Sequence, residues 1–163
     1  MDTETLINIT PFDWPSIFTA LLCGTIIGFE RQVRGKPAGI RTSALIILGT
    51  YIFIACSTYV SQEATMTDPS RIIGQVITGI GFLGAGVMLS KGRSVYGVTS
   101  AATIWALAAV GVCIGIGQLA SALKLSFVVV VILFGVDYFE EYSQKMGKRV
   151  HKRYHNWRNR DNE

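Results

Sequence analysis

Between Arg71 and Lys91 no charged side chain occurs for 19 residues, IIGQVITGIGFLGAGVMLS, a run long and apolar enough to cross a bilayer as a helix. Its approach reads as a helix start: Asp68 can accept from the first free N–H groups, and Pro69 takes the first helical position, where a missing N–H costs nothing. At 100° per residue, Arg71, Gly74, Gln75, Thr78, Gly79, Gly81, Ala85 and Gly86 fall on one side, with Phe82 as the bulky intruder. Ile72, Ile73, Val76, Ile77, Ile80, Leu83 and Val87 fall on the other, where Gly84 is the exception. In lipid, helices are drawn together by close van der Waals contact, which a small-residue face permits. The segment is therefore expected to be the packing centre of a membrane bundle. Gly79-Ile-Gly81-Phe-Leu-Gly84 also spells GxGxxG, but a dinucleotide site needs a preceding strand and a phosphate at a helix N-terminus. These glycines lie in the middle of an apolar run.

Four further apolar spans surround it. Trp14 to Phe29 and Thr42 to Gln62 carry no charge, and Ser94 to Val136 contains only Lys124. The last is too long for one crossing and divides near Gly115-Ile-Gly117-Gln118 into Val98 to Ile114 and Ala120 to Tyr138. The expected fold is an all-α polytopic membrane protein with five transmembrane helices, residues 1–138 forming the membrane domain and 139–163 a basic tail. The first ten residues, MDTETLINIT, are acidic and lead to no small-residue cleavage site, so no signal peptide is expected. Cys23, Cys56 and Cys113 all sit inside apolar runs, as small core residues rather than a disulfide or metal framework.

Charge sets the orientation. The loop from Arg31 to Arg41 holds Arg31, Arg34, Lys36 and Arg41; the loop after the central helix holds Lys91 and Arg93; and seven basic residues follow Asp137. The opposite side carries only Arg71 and Lys124, with Asp2, Glu4, Asp13, Glu63 and Asp68. This alternation places the N-terminus outside and the C-terminus in the cytoplasm. In the tail, Tyr138, Tyr142, Met146, Val150, Tyr154 and Trp157 recur every three or four residues between lysines and arginines. That pattern is a basic amphipathic helix suited to the anionic lipids of an inner leaflet, and it leaves nucleic acid unneeded as a partner. His151 and His155 lack acidic or cysteine neighbours that would complete a metal site.

Small residues predict the helix contacts. Gly24-Thr-Ile-Ile-Gly28 is a GxxxG motif, which favours a close crossing or self-association and makes a homo-oligomer, a dimer first, the expected assembly. Thr99, Ala102, Ala106, Ala109 and Cys113 form a small stripe on the fourth span, the natural partner for the glycine face containing Gly74, Gly79, Gly81 and Gly86. The fifth span, SFVVVVILFGV, is bulky and suits lipid.

Chemistry-bearing residues are few. No P-loop exists, because neither Gly35-Lys36 nor Gly147-Lys148 completes the motif, and both histidines are in the tail. No catalytic set, cofactor or metal site is expected. What remains is charge at the membrane edge. Glu30 stands beside Arg31 and four residues before Arg34, either as an interfacial ion pair or as an ion or partner site at a cytoplasmic vestibule. Asp68 reads first as a cap, whereas Arg71 and Gln75 point along the small face, where buried polar groups need partners and mark function.

Three segments, GFERQVRGKPAGIRT (Gly28 to Thr42), DPSRIIGQVITGIGFLGAG (Asp68 to Gly86) and VYGVTSAATIWALAAVGVCIGIGQ (Val95 to Gln118), resemble the MgtC/SapB family of bacterial inner-membrane proteins. The resemblance implies a five-helix membrane domain in a protein linked to growth in low Mg²⁺, intramacrophage survival and inhibition of the F1Fo ATP synthase. It also implies that Glu30, Arg41, Asp68, Arg71 and Gln75 correspond to the family's motif positions, and that the chain is a short form lacking a soluble C-terminal domain. The expected function is a non-enzymatic, multi-pass inner-membrane protein that modulates another membrane complex during Mg²⁺ limitation or acid stress. A small channel or transporter for Mg²⁺ or another cation is the alternative, and a structural, lipid-organising oligomer is a third.

Overall fold

The computed structural model describes residues 9–63, 69–91, 94–135 and 138. The described residues form five long helices: α1 (Trp14–Val33), α2 (Ile40–Glu63), α3 (Pro69–Gly86), α4 (Val98–Gly115) and α5 (Leu119–Gly135). Of these, Ile40–Ser61 in α2 and Val98–Gly115 in α4 are long and apolar enough to cross a membrane. Residues 1–129 make one compact unit and Val130 begins a second; every site discussed below lies in the first. The Asp68 cap and the amphipathic tail from 139 onward lie outside the described residues.

Local chemistry sets the helix ends. Asp13 has extended backbone (φ −138°, ψ 147°), and its Oδ1 accepts from the Ser16 N–H at 2.8 Å, with Pro15 in the first turn, so α1 starts on a filled cap. At its other end Gly35 is left-handed (φ +61°); its N–H donates to the Gln32 carbonyl and that of Lys36 to the Arg31 carbonyl, at 3.1 and 2.9 Å. This is a Schellman closure. The same closure recurs after α4, where Gly117 (φ +80°) and Gln118 donate to Ile114 and Cys113.

Between α3 and α4 the chain makes an antiparallel hairpin, β1 (Leu89–Lys91) and β2 (Ser94–Tyr96), with Leu89 opposite Tyr96 and Ser90 opposite Val95. Strands of three residues are too short to leave a period in the sequence. Gly97 follows with φ +88°, and a Cβ there would collide with the Val87 carbonyl oxygen. Only glycine permits the hairpin to return this closely.

The packing centre is α2, which corrects the expectation that α3 plays that role. A Cβ on Gly24 would stand 2.5 Å from the Ala44 Cα, and one on Gly28 2.5 Å from the Ile40 Cα, so the GxxxG of α1 crosses α2 of the same chain. On its other flank, α2 meets a second GxxxG, Gly111 to Gly115: a Cβ on Gly111 would lie 2.7 Å from the Ile47 carbonyl oxygen, and one on Gly115 2.5 Å from the Ile54 Cβ. Both faces of α2 are thus in backbone-distance contact, and Ile46, Ile47, Thr50, Tyr51 and Ile54 between them are buried.

By contrast, a Cβ on Gly74, Gly79, Gly81 or Gly86 meets nothing within 4 Å, and all four glycines are exposed. The expected partner stripe is not inside either: Ala102 and Ala109 are exposed and Ala106 half-buried, while Ser100, Thr103, Ile104, Leu107, Ala108 and Gly111 form the buried face of α4. The inward side of α4 mixes small residues with Ile104, Leu107, Val110 and Ile114, while Trp105 faces outward. Helix α3 touches α4 through Gly84, the exception on its bulky side, where an added Cβ would lie 3.6 Å from the Ala101 carbonyl oxygen. Cys56 is exposed rather than in the core, whereas Cys23 is buried.

Substituting alanine for Gly28 should lower stability in detergent micelles by about 1–3 kcal/mol, the usual cost of overpacking. Gly79→Ala should be neutral or stabilising, since alanine is favoured in a helix by about 1 kcal/mol. Thermal unfolding followed by circular dichroism measures both.

Candidate functional site

The C-terminal turns of α1 carry three charges in five positions, Glu30-Arg31-Gln-Val-Arg34. Glu30 and Arg31 are each only 2% exposed. The Arg31 guanidinium donates to Glu30 twice, Nε to Oε2 at 2.5 Å and Nη2 to Oε1 at 2.9 Å, and Arg34 Nε stands 2.8 Å from Oε1. One carboxylate therefore serves two guanidinium groups, leaving an excess of one positive charge. Among the described residues no buried side-chain nitrogen or oxygen lacks a partner. The arrangement is self-consistent as a buried, charge-assisted network, and a cation approaching Glu30 would have to displace Arg31. The chemistry of this end of the bundle suits anions.

Sequence reasoning found Glu30 and its pairing with Arg34. It treated Arg31 as a loop charge that fixes orientation, and missed that it is buried. The signal was present: GFERQ puts Glu30 and Arg31 on the helix before its Gly35 stop.

Arg41 lies exposed in the first turn of α2, beyond the Gly28–Ile40 crossing, so it shares this end of the molecule with Glu30. Arg71 and Gln75 are exposed on the first turns of α3. Only five residues separate the end of α2 from the start of α3, so these two belong to the opposite end of the bundle. The five candidate residues do not form one site, and Asp68 lies outside the described residues.

A further polar group occupies that opposite end. The Tyr51 hydroxyl donates to Asp13 Oδ2 at 3.1 Å and accepts from the Asp13 N–H at 3.0 Å, tying the start of α1 to the middle of α2. Desolvation pushes the Asp13 carboxyl up, but hydrogen bonds from the Ser16 N–H and hydroxyl and from Tyr51 outweigh it, holding Asp13 below the ordinary aspartate range. No group of three or more histidine, cysteine or acidic side chains is placed to hold a metal ion among the described residues.

The profile of the MgtC family matches residues 17–142. The chain belongs to the MgtC family. It is 40% identical over 144 residues to the protein named "Putative magnesium transporter YhiD" of Escherichia coli K12, covering 85% of this chain and 64% of that one. It is 42% identical over 114 residues to Protein MgtC of Salmonella typhimurium LT2, covering 70% of this chain and 48% of that one. Protein MgtC of Brucella abortus is 41% identical over 113 residues, 69% of this chain and 46% of its own. The chain thus spans roughly half to two thirds of the length of these relatives. No solved structure matches it. The MgtC match covers both GxxxG crossings, the Glu30 cluster and α3.

Two outcomes are expected here. Glu30→Gln leaves the Arg31 charge buried without its counter-ion and should cost about 3–5 kcal/mol in micelle unfolding, whereas Arg34→Gln, at the partly exposed edge, should cost no more than about 1 kcal/mol. Asp13→Ala should cost about 1 kcal/mol at neutral pH. Because the folded-state pKa of Asp13 is depressed, its stabilisation is complete above the unfolded aspartate range and is lost as pH falls through the folded value. The gap between wild type and Asp13→Ala should therefore close on acidification, as read from unfolding midpoints across a pH series.

Proposed function

We propose that this MgtC-family chain is a non-enzymatic, multi-pass inner-membrane protein that acts by docking onto another membrane protein complex during Mg²⁺ limitation or acid stress. In this reading all five helices cross the bilayer, with the N-terminus outside and the C-terminus cytoplasmic. The F1Fo ATP synthase is the complex to which the family resemblance points.

Membrane residence is supported by the large apolar side chains that face outward, among them Phe18, Phe29, Leu45, Phe53, Phe82 and Phe127. A soluble monomer rarely carries so much exposed apolar surface.

The observation that carries the docking role is the open face of α3. Its glycines have nothing within 4 Å, and Arg71, Gln75 and Thr78 are exposed beside them. A polar, glycine-lined face is costly against lipid and favourable against another helix, which gains close backbone contact and interhelical hydrogen bonds. The same face serves a homo-oligomer if the second helix comes from another copy. The rival transport reading draws on the name of YhiD and on Arg71 and Gln75, but Glu30, the acidic group it needs on the inner side, is already held by two arginines.

Affinity purification from native membranes grown in low Mg²⁺ should recover a partner with the wild-type chain. Gly79→Leu combined with Gln75→Leu should lose it while unfolding at the same temperature, since that face is open. Reconstituted into liposomes, the chain should move no Mg²⁺ above protein-free vesicles; robust flux without any recovered partner would favour the transporter.

A further inference from the structure

At the end of the bundle where α1 begins and α4 ends, a cavity of about 350 Å³ opens between Asp13, Tyr51, Thr58, Tyr59, Ile114 and Gly115. Its chemistry is one-sided. Asp13 is the one acidic group lining it, and no lysine, arginine or histidine does so among the described residues. The last turn of α4 contributes the negative end of a helix dipole.

The donors beside Asp13 and at Thr58 are committed elsewhere. The Ser16 N–H and the Tyr51 hydroxyl both give their hydrogens to Asp13, and the Thr58 hydroxyl gives its own to the Ile54 carbonyl at 3.0 Å. What they turn toward a guest is lone pairs and the unneutralised carboxylate charge. The walls add two tyrosine rings, whose faces attract cations, and apolar surface from Ala55 and Ile114. A surface that is negative, rich in acceptors around Asp13, and part aromatic and part aliphatic is complementary to a group with several N–H donors on a short hydrocarbon stem.

We propose that this cavity binds a small primary alkylammonium ion, its NH₃⁺ group donating to Asp13 and the Thr58 oxygen and its carbon chain lying along Tyr51, Tyr59 and Ile114. The volume, within the usual range of small-molecule sites, exceeds what a bare ion fills. A divalent cation such as Mg²⁺ takes oxygen ligands and keeps several waters, and would gain nothing from the aromatic and aliphatic walls. Here a single carboxylate, already accepting from Ser16 and Tyr51, has charge and lone pairs enough for a monocation. The site is independent of the α3 face and of any partner bound there.

The test is an NMR titration of the full chain in micelles with ¹³C-labelled tyrosine. n-Butylammonium chloride should shift two tyrosine signals saturably, n-butanol should not, and equimolar magnesium chloride should not displace the amine. Asp13→Asn should weaken binding at least tenfold while still unfolding cooperatively, because asparagine keeps the helix cap and gives up only the charge-assisted part of its bonds. Thr58→Val, which removes only a bond within α2, should weaken it at least threefold and serves if Asp13→Asn does not fold. An equal response to n-butanol, displacement by magnesium, or unchanged affinity in the variant that folds overturns the proposal.

Discussion

Close approach of backbones along α2 is the constraint from which the rest follows. Four glycines in two GxxxG motifs, Gly24 and Gly28 on α1 and Gly111 and Gly115 on α4, bring main chains within reach of the Ala44, Ile40, Ile47 and Ile54 positions. At Gly24 and Gly28 main chain meets main chain, whereas Gly111 and Gly115 make room for the Thr50 and Ile54 side chains of α2. Helices α1 and α4 pack side by side against neighbouring flanks of α2 and touch each other. The Asp13–Tyr51 hydrogen bonds then close one end of the bundle.

Charge burial follows the same scaffold. Glu30 and Arg31 lie two and three residues beyond Gly28, which meets the first residue of α2, and both are sequestered. A buried ion group contributes little net stability compared with an apolar replacement, yet it is very sensitive to loss of one member. Its retention in the chain therefore speaks for geometry or function more than for stability. The excess positive charge at this end and the acceptor-rich cavity at the other give the unit an electrical polarity along its helix axes.

Much of this was legible in the sequence. Uncharged runs gave the five helices within a few residues, because helix length and apolar composition are local properties. The Gly24–Gly28 motif marked a real crossing, although the choice between a second copy and α2 depended on a neighbour that spacing alone does not name. The glycine face of α3 misled for a related reason: small residues permit close packing without requiring it, and α2 had two other partners. The Gly111–Gly115 motif went unread because its second glycine lies at the break between spans. The α3–α4 hairpin was hidden by its brevity, and the Asp13–Tyr51 link by a separation of 38 positions that no periodicity spans.

The ion group at Glu30 has one more property. Its acceptor and both donors, Glu30, Arg31 and Arg34, are supplied by consecutive turns of a single helix. The Glu30 carboxylate has both salt-bridge donors as soon as α1 and its C-cap Arg34 have been synthesised, while α2 is still being translated, so its own pairing waits on no later segment. A nascent chain can thus commit its first helix with the carboxylate already matched, and the order of assembly can follow the order of synthesis.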